Sequence, residues 1–284
     1  MDTTAPLKDV FDRFHGHLVA TGKSTHTAEA YTRDVRLFSQ CFLTTKGKLL
    51  SPERITPIGI REYQTYLLTV ESYKPATVNR KLASLSAFCD WARETELISA
   101  NPTEGISQVE GVRPAPKWLD KKEQKALLRA VQEKGRRRDI ALITLMLEAG
   151  LRVSEVPNLK MSDIQISPWE SSVTVRSGDR EKLRGVPLNV DARKAIQAYL
   201  EERAEVEGDY LFGSQRGGPL QAPGIYYLIK RYAYEAGLKD VTPHTLRHTF
   251  GKNLVNAGLP LDRVAQLLGH KSVNRTRIYS KPSD

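Results

Sequence analysis

The chain has 284 residues, 40% of them hydrophobic and 27% charged, with a formal net charge of +10. That length favours two domains, and that balance supports an ordinary buried core. No apolar run approaches the roughly 20 residues that span a bilayer, and the N-terminus lacks the basic-then-apolar pattern of a secretory signal. Both features point to a cytoplasmic protein with no membrane partner.

The charge is unevenly spread. Residues 1–110 carry 13 Lys+Arg against 13 Asp+Glu, and residues 111–284 carry 30 against 20, so the whole excess lies in the second part. Such an excess suits a polyanionic partner, nucleic acid first, or a merely solvated basic surface. Cys41 and Cys89 are far apart, each inside a helical pattern, and read as buried small hydrophobes.

In chain order, Ser24 can cap "STHTAEAYTRDVRLFSQCF", where Ala28, Tyr31, Val35, Phe38 and Phe42 recur at helical spacing. "ITPIGIREYQTYLL" predicts another helix. "KPATVNRKLASLSAFCDWA" predicts a third, with Val78, Leu82, Leu85, Cys89 and Ala92 on one stripe. Opposite that stripe, Thr77, Asn79, Arg80 and Lys81 cluster at the helix start. Short polar and basic residues there suit phosphate or base-edge contacts, or a solvated face.

"SQVEGVRPAP" lacks periodicity and is rich in Pro and Gly, which marks a linker. Asp120 and Glu123 then have the spacing of a capping box for "KKEQKALLRAVQEK". "RRRDIALITLMLEAG" predicts a buried helix ended by Gly150. "SSVTVRSGDREKLRGVPL" predicts a β-hairpin, and "NVDARKAIQAYLEERAEV" returns to helix. The expected fold is therefore mainly α with a small β-hairpin or sheet.

"VTPHTLRHTF" predicts a helix start, with Thr242 as N-cap and Pro243 in the first turn. His244 and Arg247 fall three apart on one face, near the positive end of the helix dipole, where an anion binds well. A metal reading of His244 and His248 fails on its neighbours. Thr245 stands where a zinc hydrolase needs Glu, Arg247 adds a fixed positive charge, and no carboxylate cluster resembles a two-metal site. No metal and no cofactor is expected.

"GLRVSEV" with Arg152, "PHTLRH" with His244 and Arg247, "LGH" with His270 and "IYSK" with Tyr279 follow in order and at a specific spacing. Together they resemble the tyrosine recombinase family, the phage-integrase and Xer-like enzymes. The resemblance implies an N-terminal helical core-binding domain over 1–107, a linker over 108–117 and an α+β catalytic domain over 118–284. It further implies a homo-tetramer acting on two double-stranded DNA sites, each subunit clamping DNA between its domains, with unspecified accessory proteins. Length and a very short tail after Tyr279 also resemble the TnpI-type resolvases of replicative transposons. The same short tail leaves the source of subunit contacts open.

The family's chemistry assigns roles. Tyr279 attacks a phosphate, Arg152 and Arg247 bind its oxygens, His244 accepts a proton and His270 donates to the phosphate. His248 has no catalytic counterpart in the family and reads as structural. The leaving 5′-oxygen takes a proton from a hairpin lysine, and Lys182 is the sole lysine between Val173 and Leu188. Relatives often carry Gly-Lys-Gly before the turn, where this chain has Arg176-Ser177-Gly178-Asp179, so Lys182 is displaced toward the second arm. A type IB-like topoisomerase and a catalytically silent DNA-binding regulator are the alternative readings.

Overall fold

The computed structural model describes residues 5–111, 115–167, 169–177, 182–203, 209–214, 217–270 and 272–280, with the side chains at 5, 6, 177 and 182 outside that description. It divides into two compact units, 1–114 and 115–284, each with its own core.

The first unit holds α1 (Ala5–Ala20), α2 (Thr25–Lys46), α3 (Pro57–Thr69) and α4 (Pro75–Glu94). Ser24 starts α2 by accepting the Thr27 N–H at 3.2 Å, and Thr56 starts α3 by accepting that of Gly59 at 3.1 Å. The stripe on α4 is buried as its spacing requires, packed with Phe14 of α1 and Val35 and Phe38 of α2. Cys89 is buried as expected, whereas Cys41 is only half-buried.

The polar cluster at the start of α4 needs correction. Lys81 is buried and donates to Asp34 at 3.1 Å, so it offers no ammonium to a partner. Arg80 grips the same carboxylate through both terminal nitrogens, and Ser84 donates to it at 2.9 Å. Burial pushes the Asp34 carboxyl up, but these donors outweigh it and hold it below the usual range. Asn79 exchanges two hydrogen bonds with the Val109 backbone, at 2.9 and 2.8 Å. The reason is helical geometry: Lys81 lies three residues after Val78, beside the core stripe rather than opposite it. Of the four, only Arg80 is exposed, at 43%, while Thr77 and Asn79 are half-buried.

The stretch read as a linker is, through Gly111, fastened to this first unit. Gln64 donates to the Ser107 carbonyl at 3.0 Å, Asn79 holds Val109, and a Cβ at Gly111 would come within 2.6 Å of Pro75.

The second unit opens with α5 (Lys121–Lys134). Its capping box is complete, with Asp120 accepting from Glu123 N at 2.8 Å and Glu123 from Asp120 N at 2.9 Å. Helix α6 (Arg137–Ala149) is the buried centre, ended by Gly150 at φ 59°. A Cβ there would meet the Phe250 ring at 2.3 Å, so only glycine fits.

The sheet is antiparallel in the order β1 (Ile164–Ile166), β2 (Ser171–Ser177), β3 (Lys182–Pro187). The expected hairpin is β2–β3, with Ser177 opposite Lys182, and its turn lies outside the described residues. The structure adds β1, three residues long and too short to show periodicity. Helices α7 (Val190–Glu202), α8 (Ala222–Glu235), α9 (Pro243–Asn256) and α10 (Leu261–Leu268) follow, and 3-10 turns at Val273–Arg275 and Arg277–Ser280 close the described chain. Among the described residues no helix is long and apolar enough to cross a membrane.

Candidate active site

Helix α9 is fixed at its start by Thr242 and Thr245, each accepting the other's backbone N–H, at 3.2 and 3.1 Å. Leu246 points into the core, which decides where its neighbours go. His244 is exposed, Arg247 is buried and His248 is half-buried.

Three arginines converge on the end of α10. Arg184 of β3 donates through Nε to the Leu267 carbonyl at 2.9 Å, Arg247 donates to that of Leu268, and Arg152 donates to that of Gly269 at 2.7 Å. The last carbonyls of a helix have no partners within it and carry its negative pole, so cations are held well there. Arg247 also donates to the Gly150 carbonyl at 2.6 Å. Gly269 takes the left-handed conformation at φ 63°, and a Cβ on it would come within 3.1 Å of Arg184.

One carboxylate sits among these cations. Glu155 accepts from Arg184 at 2.8 Å on each oxygen, and from Arg152 at 2.7 Å through both its backbone and its guanidinium. Burial pushes the Glu155 carboxyl up, yet Arg184 and Arg152 outweigh burial and hold it below the ordinary carboxylate range. Three guanidinium groups against one carboxylate leave a local charge of +2 (3 − 1). Burial, then the charge of Arg152, lowers Arg247 to about 10.

His270 follows Gly269 and is oriented by a 2.8 Å bond between its Nδ1 and the Thr276 hydroxyl. Burial, with the charges of Arg247 and Arg152, lowers it to about 4, so it is neutral near pH 7. Tyr279 lies on α9, only 1% exposed, and burial pushes its phenol up to about 12 against the opposing charge of Arg247. Its ring covers Gly251, where a Cβ would stand 2.7 Å from Cε2 and Cζ.

The structure thus joins Arg152, Arg247, His270 and Tyr279 around α9 and the end of α10. His244 is exposed at the start of α9, four residues before His248, on whose ring its charge acts. The backbone of Lys182 opens β3, and its side chain lies outside the described residues. His248, read from the sequence as structural, places Nδ1 2.9 Å from the Tyr279 hydroxyl. Burial, then the charge of His244, lowers its pKa, which favours the neutral ring. Glu155 and Arg184 were not singled out from sequence. Glu155 was visible in principle, three residues after Arg152 in "LRVSEV".

A +2 arginine cluster beside a shielded tyrosine is an arrangement suited to holding a phosphate next to a candidate nucleophile. Comparison with known proteins agrees in both halves of the chain. The model of the phage integrase family matches residues 117–284, and that of the phage integrase N-terminal SAM-like domain matches 10–99. Tyrosine recombinase XerD of Ralstonia nicotianae is 34% identical over 91% of this chain and 84% of that protein. A tyrosine recombinase of Pseudothermotoga lettingae is 30% identical over 96% and 93%. Among solved structures, XerA recombinase is 29% identical with a TM-score of 0.55, covering 98% of this chain and 94% of that one. The Tn1549 transposon integrase in complex with circular intermediate DNA has a TM-score of 0.77 over 97% and 96% at 19% identity, a likeness of fold. The chain belongs to the phage integrase family and is a tyrosine site-specific recombinase of the Xer/integrase type. The topoisomerase and silent-regulator readings are not favoured.

Proposed function

We propose that Tyr279 cleaves double-stranded DNA at a specific recombination site by attacking the scissile phosphate. The step forms a 3′-phosphotyrosine and expels a 5′-hydroxyl; attack by a 5′-hydroxyl, from the same duplex or a partner, reverses it. The bond energy stays in the phosphotyrosine, so resealing needs no nucleotide. The observation that carries this reading is the convergence of Arg152, Arg184 and Arg247 on the last carbonyls of α10.

A phosphodiester is already anionic, so fixing its charge and position dominates the task. The bonds described use two of the five N–H donors on each of Arg152 and Arg247, which leaves donors for non-bridging oxygens. The guanidinium groups are held by backbone before DNA arrives and need little rearrangement. His270 adds a donor once protonated beside the phosphate. In the structure Tyr279 is docked: its phenol is neutral, shielded and bonded to His248. Cleavage requires the ring to leave that position and give its proton to an acceptor, the role assigned to His244 at the exposed start of α9. Lys182 at the hairpin is assigned the proton for the leaving 5′-oxygen. In the first unit Arg80, braced by Asp34, and Thr77 are the outward contacts to DNA. Homo-tetramer assembly on two DNA sites completes the proposal.

A nicked suicide duplex carrying the site mapped by footprinting tests it. Tyr279→Phe is expected to bind that duplex as the native chain does and to form no covalent adduct; adduct with the Phe variant overturns the assignment.

A further inference from the structure

Lys252 lies one helical turn beyond His248 on α9 and is 7% exposed. Its ammonium donates to the Tyr279 carbonyl at 3.0 Å and stands 5.0 Å from the centroid of the Trp118 ring. Burying an ammonium is disfavoured unless its partners are well placed. A methionine would fill similar space without that penalty, so the charge has to be explained by what it holds.

Two of the groups it touches lie on the two flanks of α9. On one flank, the chain entering the second unit is pinned to the helix. Leu119 N donates to Thr249 Oγ1 at 2.8 Å, and Gln124 pairs with Asn253 at 3.0 and 3.3 Å. On the other flank lies Tyr279, with its hydroxyl on His248 and its ring on Gly251. Lys252 touches both, through the face of Trp118 and the carbonyl of Tyr279.

We propose that Lys252 is a positioning residue for the nucleophile. Its ammonium fixes the main chain of Tyr279 on α9, and the Trp118 ring fixes the ammonium. The inference rests on Tyr279 being the nucleophile. A bond to the carbonyl restrains the backbone and leaves the side-chain torsions free. The Tyr279 N–H, bonded to the Thr276 carbonyl at 3.1 Å, restrains the residue from its other side. The ring can then exchange between its docked place and the phosphate about a fixed pivot. Attack geometry tolerates little error, and a displacement of about 1 Å costs on the order of 10²-fold in rate. Losing the pivot therefore slows the chemistry without weakening DNA binding.

The test uses the full chain and the same nicked suicide duplex, under single-turnover conditions with DNA saturating. Lys252→Met is expected to form adduct about 10–100-fold more slowly, with DNA affinity within about threefold of the native value. Amide exchange in residues 272–280 of the free protein should rise about tenfold or more while α6 stays protected, which a general loss of packing would not produce. Lys252→Arg, which keeps a donor and a cation over Trp118, should recover most of the rate. Trp118→Leu should slow cleavage alone and add nothing to Lys252→Met. It also decides the matter if the Met variant does not fold. Native cleavage and exchange in Lys252→Met, or in Trp118→Leu where only that variant folds, overturns the proposal. Adduct formation by Tyr279→Phe would instead overturn the nucleophile assignment, so the two failures are distinct.

Discussion

Replacing Gly251 with alanine sets two effects against each other. In the middle of α9 the change should stabilise the helix by about 0.8–1.0 kcal/mol. The new methyl group, however, would stand 2.7 Å from two atoms of the Tyr279 ring and 3.1 Å from a third. Overpacking of this kind costs about 1–3 kcal/mol. Complete expulsion of the ring would forfeit the burial of roughly 150–250 Å², an upper bound of about 4–6 kcal/mol at ~25 cal/mol per Å². The ring is the movable party, since α9 is held by Arg247, Lys252 and Thr249. The net expectation is destabilisation of the second unit by up to about 2 kcal/mol, a fall of up to roughly 8 °C in its melting transition. The decisive control is a double-mutant cycle with Tyr279→Ala, where the clash partner is gone. There Gly251→Ala should stabilise by about 1 kcal/mol, giving a coupling of about 1–3 kcal/mol. A single Gly251→Ala variant that melts higher than the native chain and cleaves DNA equally fast would refute the docked packing of Tyr279.

Three further outcomes are expected. Glu155→Gln should cost about 3–5 kcal/mol in urea unfolding, because it leaves Arg184 facing a buried neutral amide. Since the folded carboxyl is held below its unfolded value, its contribution is present above the unfolded pKa and lost as pH falls through the folded one; the Gln variant should lose that acid sensitivity. His270, at about 4 in the free protein, should take up a proton when a phosphate arrives, so affinity for DNA should rise as pH falls from 7 toward 5.5. Calorimetry at pH 6 in two buffers of different ionisation heat measures this uptake, and equal heats in both would exclude it. Lys182→Ala should cleave ordinary DNA about 10²–10⁴-fold more slowly and recover when sulfur replaces the bridging 5′-oxygen, whereas Arg152→Ala should not recover. Equal loss on both substrates would remove Lys182 from proton donation.

Local rules were legible in the sequence wherever a few neighbouring residues settle the outcome. The caps at Ser24, Asp120 and Thr242, the stop at Gly150 and the stripe from Val78 to Ala92 each depend on positions at most one or two turns apart. The start of α4 misled because a short polar run covers a full helical turn. Composition cannot tell which of its members point inward. Lys81 turned inward because Asp34, 47 residues earlier on α2, awaited it. The partner across the helix pair, not the run itself, determines the face.

The catalytic candidates divide in the same way. Arg152, His244, Arg247, His270 and Tyr279 could be picked out because their residue types recur at characteristic spacing. Arg184, His248 and Lys252 could not, since their importance comes from what the fold brings to them, and Glu155 was legible only through its spacing from Arg152. The acceptors at the end of α10 show the limit most plainly. Leu268 is chosen for its side chain, which is fully buried in the core, while its carbonyl holds Arg247. Leu267 likewise packs against the core while its carbonyl holds Arg184. Any residue at those positions would present the same oxygens, so no residue type reports their role. Only the placement of a helix terminus against three arginines does, and that placement is set by packing of α10 on α9 and β3. The arginine cluster is therefore held by apolar residues whose sequence signal speaks only of burial.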